Sequence, residues 1–231
     1  MHITLREGKL VRREKRFLAY FEFPNGEAGI AHCPNPGSMK GNAEPGMKIW
    51  VQDHGADHLE TGKKLRYKWV FVEAGGVKVC VDTSLANHLV HEALLEKKIP
   101  ELAAYSEIKP EATLGDSRYD FLLSHKSERC FVEVKSVSMG EGSAGSFPDS
   151  VTKRGQKHLL GLQKIKESGD RAVLLFLLVR VGGKSVTAAK EIDPIYAKLL
   201  TDVSKKGVEV LVYSIQWKNE IVSVGGQGCL L

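Results

Sequence analysis

The chain has 231 residues, 42% hydrophobic and 26% charged, which is typical of a soluble globular protein long enough for one large domain or two ordinary ones. Its formal net charge of +5 allows a phosphate-bearing partner but does not require one. The longest apolar run, residues 172–179, is far too short to span a membrane, and the first residues lack the apolar core of a signal peptide.

The four cysteines predict a reducing environment. Cys33, Cys80, Cys130 and Cys229 form no CxxC pair, so the sequence predicts free thiols, no zinc ribbon and a cytoplasmic location.

The first third of the chain has the pattern of short β-strands. Asn25–Gly26 and Gly75–Gly76 are hairpin-turn signals, and residues 54–64 are polar and predict a loop. Closely spaced strands of this kind indicate a small barrel or sandwich. The predicted strands are residues 16–23, 29–32, 47–51, 67–73 and 77–81.

The pattern changes near residue 82. A cap-type residue, Asp82, precedes leucines at helical spacing up to Lys98, and Pro100 follows as expected beyond a helix end. We therefore predict two domains, residues 1–82 and residues 83–231.

The second domain alternates helices and strands. The order α, β, β, α, β, α, β predicts an α/β domain with a mixed central sheet. The Gly/Ser-rich residues 139–147 are flexible by composition, and the polar residues 124–129 suit an antiparallel hairpin. After the first helix, the predicted strands are residues 119–123, 130–137, 171–180 and 208–215, and the predicted helices are residues 151–167 and 193–207.

A candidate active site lies on the two strands of that hairpin. Because side chains alternate along a strand, Glu133 and Lys135 project from one face, and Val134 from the other. The hairpin brings Asp120 beside Glu133. Buried charges are costly unless they are paired or bind a ligand. Taken alone, this short pattern fits a solvated ion pair on an edge strand equally well.

Two neighbouring carboxylates favour a divalent cation between them. Mg²⁺ prefers oxygen ligands and keeps several waters, so Asp120, Glu133 and the Val134 carbonyl suffice together with a substrate phosphate; Mn²⁺ is the alternative ion. The metal would lower the pKa of a bound water, and Lys135 would orient that water or offset charge on the phosphate. The predicted reaction is phosphodiester hydrolysis.

The chain resembles the sugar fermentation stimulation protein family (SfsA) over nearly its whole length. The matching segments are Lys15-Arg16-Phe17-Leu18-Ala19, His32-Cys33-Pro34-Asn35-Pro36-Gly37-Ser38-Met39, Ser117-Arg118-Tyr119-Asp120-Phe121, Val132-Glu133-Val134-Lys135-Ser136-Val137, Phe147-Pro148-Asp149 and Arg154-Gly155-Gln156-Lys157-His158-Leu159.

The resemblance implies an N-terminal OB-like β-barrel, a C-terminal domain like the PD-(D/E)xK nucleases, and DNA binding. It assigns the acid, the Glu and the Lys of that pattern to Asp120, Glu133 and Lys135, and a helical carboxylate to Glu92. Tyr119 stands where the name of the pattern has Pro, so the pattern fits only loosely. Nucleases of this type often dimerise, which leaves a homodimer open.

Basic residues in two regions are candidate DNA contacts. Arg154, Gln156 and Lys157, at the start of the second predicted helix, suit a phosphate contact or a polar face over buried leucines. Glu92 fits the metal site or an exposed helix face equally well. In the barrel, the candidate phosphate contacts are Arg12, Arg13, Lys15 and Arg16.

Two other features of the barrel leave alternatives. Tyr67, Trp69 and Phe71 alternate among basic residues, a pattern that suits a barrel that tracks a nucleic-acid backbone and stacks bases. We assign the aromatic residues to the barrel core and predict phosphate contacts for the basic ones, Lys63, Lys64, Arg66 and Lys68. Residues 32–37 form a rigid loop that suits either a ligand or an unusual backbone path.

We consider three functions for the chain. A Mg²⁺-dependent DNA nuclease needs both acids, whereas a non-catalytic DNA-binding regulator of sugar (maltose) metabolism genes has no evident need for them. The third function is a ligand-binding module linked to sugar metabolism, but nothing in the sequence indicates a sugar site. We therefore predict the nuclease and keep the regulator as its alternative.

Overall fold

A computed structural model describes residues 1–60 and 62–231; Thr61, which falls in the predicted loop 54–64, lies outside the described residues. The strands are β1 (Leu5–Glu14), β2 (Leu18–Glu22), β3 (Ala28–His32), β4 (Lys48–Asp53), β5 (Tyr67–Ala74), β6 (Val77–Cys80), β7 (Glu107–Leu114), β8 (Ser117–His125), β9 (Glu128–Val137), β10 (Gly140–Glu141), β11 (Ala144–Phe147), β12 (Arg171–Val181), β13 (Ser185–Ala188), β14 (Glu209–Lys218), β15 (Ile221–Gln227) and β16 (Cys229–Leu230). The helices are α1 (Thr83–Leu95), α2 (Lys153–Glu167), α3 (Pro194–Lys205) and a short 3₁₀ helix at Pro100–Leu102.

The first five strands close into a barrel. They pair in the order β1-β2-β3-β5-β4 and back to β1, with only the β3–β5 contact parallel. Tyr67 and Trp69 are buried in the barrel core, as predicted, whereas Phe71 is buried in the core beneath α1, so its assignment to the barrel core was wrong. A five-stranded barrel of this kind confirms the predicted OB-like domain.

Strand β1 was missing from the sequence-based prediction. Its ten residues include six charged ones and only three apolar ones, so they carry little of the usual strand signal. Pairing with β2 and β4 on its two edges satisfies the backbone, and the single fully buried side chain of Leu10 anchors it in the core. Tertiary pairing therefore overrides local composition here.

The remainder is a mixed sheet between two helical layers. Strands follow the order β7-β8-β9-β12-β14-β15, in which β9, β12 and β14 are parallel and the others antiparallel. Helix α1 packs with the alternate residues Val132 and Val134 on one face, and α2 and α3 pack with Phe131 and Val137 on the other. This architecture confirms the predicted α/β fold.

The barrel and the α/β half are joined by strand pairing and by contacts of buried charged residues. Strand β6 pairs with β5 and, through Val79 and Arg180, with β12, so the sheet is continuous between the halves. Lys68 of β5 forms an ion pair with Asp82, which caps α1. Arg180 is fully buried and donates to the carbonyl of Ala74 at 3.3 Å.

The Gly/Ser-rich residues 139–147 were predicted to be flexible, and this was wrong. They form the β10–β11 hairpin, which pairs in parallel with β13. Gly145 allows this because a Cβ there would lie 2.2 Å from a Leu178 methyl group and 2.8 Å from one of Val137. Glycine composition reflects close packing at this position, not mobility.

Other edge strands were also missed. Strand β7 contains Pro110 and three charged residues, a pattern that suits an edge strand but hides it from prediction. Strand β15 contains Gly225 and Gly226, which weaken its signal. Among the described residues, no helix is both long and apolar enough to cross a membrane.

Candidate active site

The pairing of strand β8 with the two strands beside it is interrupted at Asp120. Its ladder with β9 ends at the pair Phe121–Val132, and its ladder with β7 skips Asp120, opposite which Glu111 has φ 55°. Tyr119 enters the α2–α3 core, whereas Phe121 enters the α1 core, although regular alternation would put both on one face. The strand therefore twists at Asp120, and a gap opens between β8 and β9.

The Asp120 carboxylate spans this gap. One oxygen accepts from the Val134 backbone N–H at 2.7 Å and the other from the Asn87 amide of α1 at 2.7 Å. Within a strand, the N–H and C=O of one residue point to the same edge, so the Val134 carbonyl also faces the gap. Burial, and next the negative charge of Glu133, raise the pKa of Asp120 above its ordinary value. This carboxylate is therefore fixed in place and repelled by a second acid.

Glu133 is that second acid, and it is 3% exposed. Its Oε1 accepts from Lys135 Nζ at 2.6 Å and contacts His158 Nδ1 closely. Burial acts to raise the pKa of Glu133, but the hydrogen bonds from His158 and Lys135 outweigh it, so the pKa lies below its ordinary value. Its Oε2 is buried and has no hydrogen-bond partner among the described residues.

Lys135 and His158 hold Glu133 from two sides. The Lys135 side chain is 14% exposed and its Nζ lies 3.4 Å from His158 Nδ1. An ionised carboxylate only accepts hydrogen bonds, so His158 donates to Glu133 in the tautomer that carries its proton on Nδ1. These groups leave Oε2 as the one side of Glu133 open to a further ligand.

The structure thus brings Asp120, Glu133, Val134 and Lys135 together at one end of the split hairpin, and we call these four residues the acidic site. Sequence reasoning missed two of its supports, Asn87 and His158. His158 had a signal, because it shares the buried helix face of Leu159 and Leu162, where a polar residue needs a partner. Exposed Asn87 had none.

Glu92 is not brought to the acidic site, contrary to the assignment from the resemblance. Its Oε2 accepts from the Met1 amine at 2.8 Å, and its side chain is 41% exposed. Five residues separate it from Asn87, which places the two about 140° apart around α1. Asn87, not Glu92, is the α1 residue that contacts Asp120.

The predicted DNA contacts on α2 separate into two groups. Gln156 is buried, and its amide nitrogen donates to both oxygens of Asp193 at 2.9 and 3.0 Å, so it braces α2 against α3 and does not face outward. Arg154 is exposed. Lys157 is also exposed and donates to the backbone carbonyl of Asp116 at 3.0 Å.

The barrel residues divide in the same way. Arg13 donates to the carbonyls of Asn35 and Gly37 at 2.7 and 3.1 Å, so its guanidinium is used to hold that loop. Arg12 pairs with Glu14 and lies over the ring of Tyr20. Lys15 and Arg16 are exposed at a hairpin tip, where both have positive φ.

The loop held by Arg13 lies against the α/β half. The Pro34 carbonyl accepts from the Thr83 hydroxyl at 2.9 Å, at the start of α1. A Cβ on Gly37 would lie 3.0 Å from an oxygen of Asp149, so glycine permits this approach. The unusual path of this loop therefore has a structural explanation.

The acidic site fits a hard divalent cation. A buried carboxylate oxygen without a partner is costly, and a cation would satisfy Oε2 of Glu133 while relieving its repulsion of Asp120. Within the described part of the chain, no three His, Cys, Asp or Glu side chains are grouped to hold a metal. Backbone carbonyl, water and substrate oxygens would complete the coordination, as is usual for Mg²⁺.

The chain is similar over most of its length to the proteins of one family. A family model described as the SfsA N-terminal OB domain matches residues 11–81, and one described as the sugar fermentation stimulation protein RE domain matches residues 84–221. The sugar fermentation stimulation protein homologue of Geotalea uraniireducens is 43% identical, with 97% of this chain and 96% of that protein covered. The homologue of Pseudoalteromonas atlantica is 46% identical, with 91% and 90% covered.

One solved structure shares the fold. Pyrococcus furiosus SfsA in complex with Ca²⁺ superposes with a TM-score of 0.87 at 26% identity, covering 100% of this chain and 98% of that one.

Proposed function

The chain belongs to the sugar fermentation stimulation protein family, and from this premise we propose that it is a metal-dependent nuclease that hydrolyses phosphodiester bonds in DNA. The observation that carries the proposal is the buried Oε2 of Glu133, which has no partner among the described residues, beside the carboxylate of Asp120, whose pKa Glu133 raises. Each acid raises the cost of burying the other, so holding both at a strand split favours a ligand that offsets their charge.

The metal would be held by Asp120, Glu133 and the Val134 carbonyl. Ca²⁺ and Mg²⁺ both prefer oxygen ligands, so the Ca²⁺ complex of the Pyrococcus relative supports a divalent site in this chain, with Mg²⁺ or Mn²⁺ as the working ion. When bound, such an ion polarises a phosphate oxygen and lowers the pKa of a bound water.

The protein's own groups supply position and charge. Asn87 and the Val134 N–H fix Asp120, and His158 fixes Glu133, so neither carboxylate must reorganise during the reaction. Lys135 is held by Glu133 at 2.6 Å, and from there its ammonium would orient the attacking water or offset charge on the phosphate. Exposed Arg154, Lys157, Lys15 and Arg16 would contact DNA phosphates further out.

Three other predictions remain proposals: a cytoplasmic location, the division after residue 82, and a homodimer. A homodimer would present two such sites to the two strands of a duplex.

The test is hydrolysis of end-labelled single-stranded and duplex DNA with Mg²⁺, with Mn²⁺ and with EDTA. We expect cleavage only with metal, and its loss in Asp120→Asn. The matched control is Asp116→Asn, which changes an exposed carboxylate four residues away and should cut like wild type. Salt-sensitive DNA binding without cleavage in any metal would instead support the non-catalytic regulator.

A further inference from the structure

A second candidate site lies on the barrel, outside the acidic site. A cavity of about 770 Å³ opens there, within the size range of small-molecule sites, roughly 300–1,000 Å³. It is formed by the β1–β2 turn, the end of β3, and His54 and residues 62–65 between β4 and β5. Its lining includes Phe17, His32, His54, Lys63, Lys64 and Lys68.

The cavity carries uncompensated positive charge. Lys63 and Lys64 are exposed, and within residues 1–60 and 62–231 neither forms an ion pair with a carboxylate. Lys68 is the exception, because it pairs with Asp82. Burial, with these lysines adding to it, lowers the pKa of His32 and His54, so both imidazoles are neutral near pH 7. This lining favours an anion, and phosphate is the common anion of a nucleic acid.

Exposed apolar side chains surround the same charges. Phe17 is 48% exposed at the cavity rim, and Ile30 is 38% exposed on the adjoining face of β3. A duplex presents phosphates and groove edges to a protein surface and gains little from such groups. An unpaired base presents a π face, which stacks on an aromatic ring.

The cavity leads toward the acidic site through α1. Ser84, in the first turn of α1, lines the cavity, and Asn87 binds Asp120 at 2.7 Å. Residues three apart on a helix are surface neighbours, roughly 5–6 Å apart at their Cβ atoms. Both are exposed, so one continuous helix face joins the cavity wall to the candidate catalytic carboxylate.

We propose that this cavity, with the β2–β3 face beside it, binds a single nucleic-acid strand and directs it along the first turns of α1 to Asp120. The cavity supplies phosphate contacts through Lys63 and Lys64 and a stacking surface through Phe17. The substrate class of the proposed nuclease is then single-stranded nucleic acid, or a single-stranded segment next to a duplex. This inference rests on the proposed function for the cutting step, but its binding step is tested separately.

The test is fluorescence anisotropy in EDTA, with a labelled 20-nucleotide dT strand, the matching rU strand and a 20-base-pair duplex. We expect wild type to bind the single strands more tightly than the duplex. The Lys63→Ala/Lys64→Ala variant should bind them at least about tenfold more weakly, with a salt slope reduced by roughly 1.4, or about 0.7 for each lost phosphate contact. Phe17→Ala should cost roughly 5- to 100-fold.

The matched control is Lys198→Ala/Lys205→Ala, which removes the same charge from the exposed surface of α3. It should lower single-strand binding by less than twofold. Barrel variants that bind dT and rU as wild type does, or a wild type that prefers the duplex, would overturn the inference. Cleavage would still stand in that case, whereas barrel-dependent binding without cleavage would leave the inference intact and remove the proposed nuclease.

Discussion

The carboxylates of the acidic site are largely enclosed and hydrogen-bonded, whereas the lysines around the barrel cavity are mostly exposed and without a carboxylate partner among the described residues. Glu133 is 3% exposed and has two partners on one oxygen, while Lys63 and Lys64 are exposed and have no carboxylate partner among the described residues. Buried, pre-organised charge suits bond breaking, and solvated charge suits reversible binding of a phosphate chain. The comparison predicts that changes in the two regions affect different measurements.

The largest expected effect is on hydrolysis. Glu133→Gln removes the negative charge of the candidate metal ligand, so metal-dependent cleavage should fall by at least about 10³-fold. Single-strand binding in EDTA should stay within a few-fold of wild type. The control Glu128→Gln alters an exposed carboxylate on the same strand and should have no effect. A Glu133→Gln variant that lost binding and cleavage equally would erase the distinction between the regions.

Removing His158 should affect stability next. His158→Ala leaves the Glu133 carboxylate buried with one fewer partner and opens a small cavity, at a cost of about 3 kcal/mol of unfolding free energy. Urea denaturation at pH 7 measures it. The neighbouring exposed change Lys157→Ala should cost less than about 0.5 kcal/mol. Equal losses in both variants would show that His158 does not support Glu133.

Asn87→Ala tests the support of Asp120. Losing an outer hydrogen bond to a metal ligand typically costs about 10- to 100-fold in activity or metal affinity. We expect a loss in this range in cleavage rate or in the Mg²⁺ concentration for half-maximal cleavage, while the exposed neighbour change His88→Ala has none. Unchanged metal dependence and rate would place Asn87 outside the site.

The smallest expected effect is on protein stability, through the ion pair between Asp53 and Arg66 in the barrel. Asp53 accepts from Arg66 at 2.8 Å, and this hydrogen bond lowers its pKa to about 2. Because the pKa of Asp53 is lower in the folded state, its ionised carboxylate stabilises the protein at pH values above the ordinary pKa of 3.8. This stabilisation is lost as the pH falls through about 2.

Because Arg66 is 41% exposed and solvent screens the pair, Asp53→Asn should cost only about 1 kcal/mol at pH 7. The difference between variant and wild type should shrink as pH is lowered from about 4 to about 2. Thermal unfolding followed by circular dichroism at several pH values measures it. A difference that stayed constant down to pH 2 would mean that the charge of Asp53 does not contribute this stability.

Sequence reasoning recovered those features whose cause is local. The Asp82 cap, the Gly75–Gly76 turn and the Glu133–Lys135 face all follow from neighbours along the chain. Strand β1 and the β10–β11 hairpin did not, because distant strands stabilise them. Alternation also failed at Asp120, where the strand twists and puts Tyr119 and Phe121 in different cores.

The two residues that support the acidic site could not be predicted from the sequence for the same reason. Asn87 lies 33 residues before Asp120, and His158 lies 25 after Glu133. Their roles depend on how α1 and α2 pack on opposite faces of the sheet. Arg13 and Gln156 were predicted from the sequence to contact phosphate, but in the fold both donate hydrogen bonds to other groups of the protein.

The most direct test of the proposed metal site is a crystal structure of the protein soaked with Mn²⁺, with the ion located by its anomalous scattering. We expect a single strong peak between Asp120 and Glu133, with Oε2 of Glu133 and the Val134 carbonyl as ligands. Saturating Mn²⁺ that bound elsewhere, and left Oε2 of Glu133 without an ion, would contradict it.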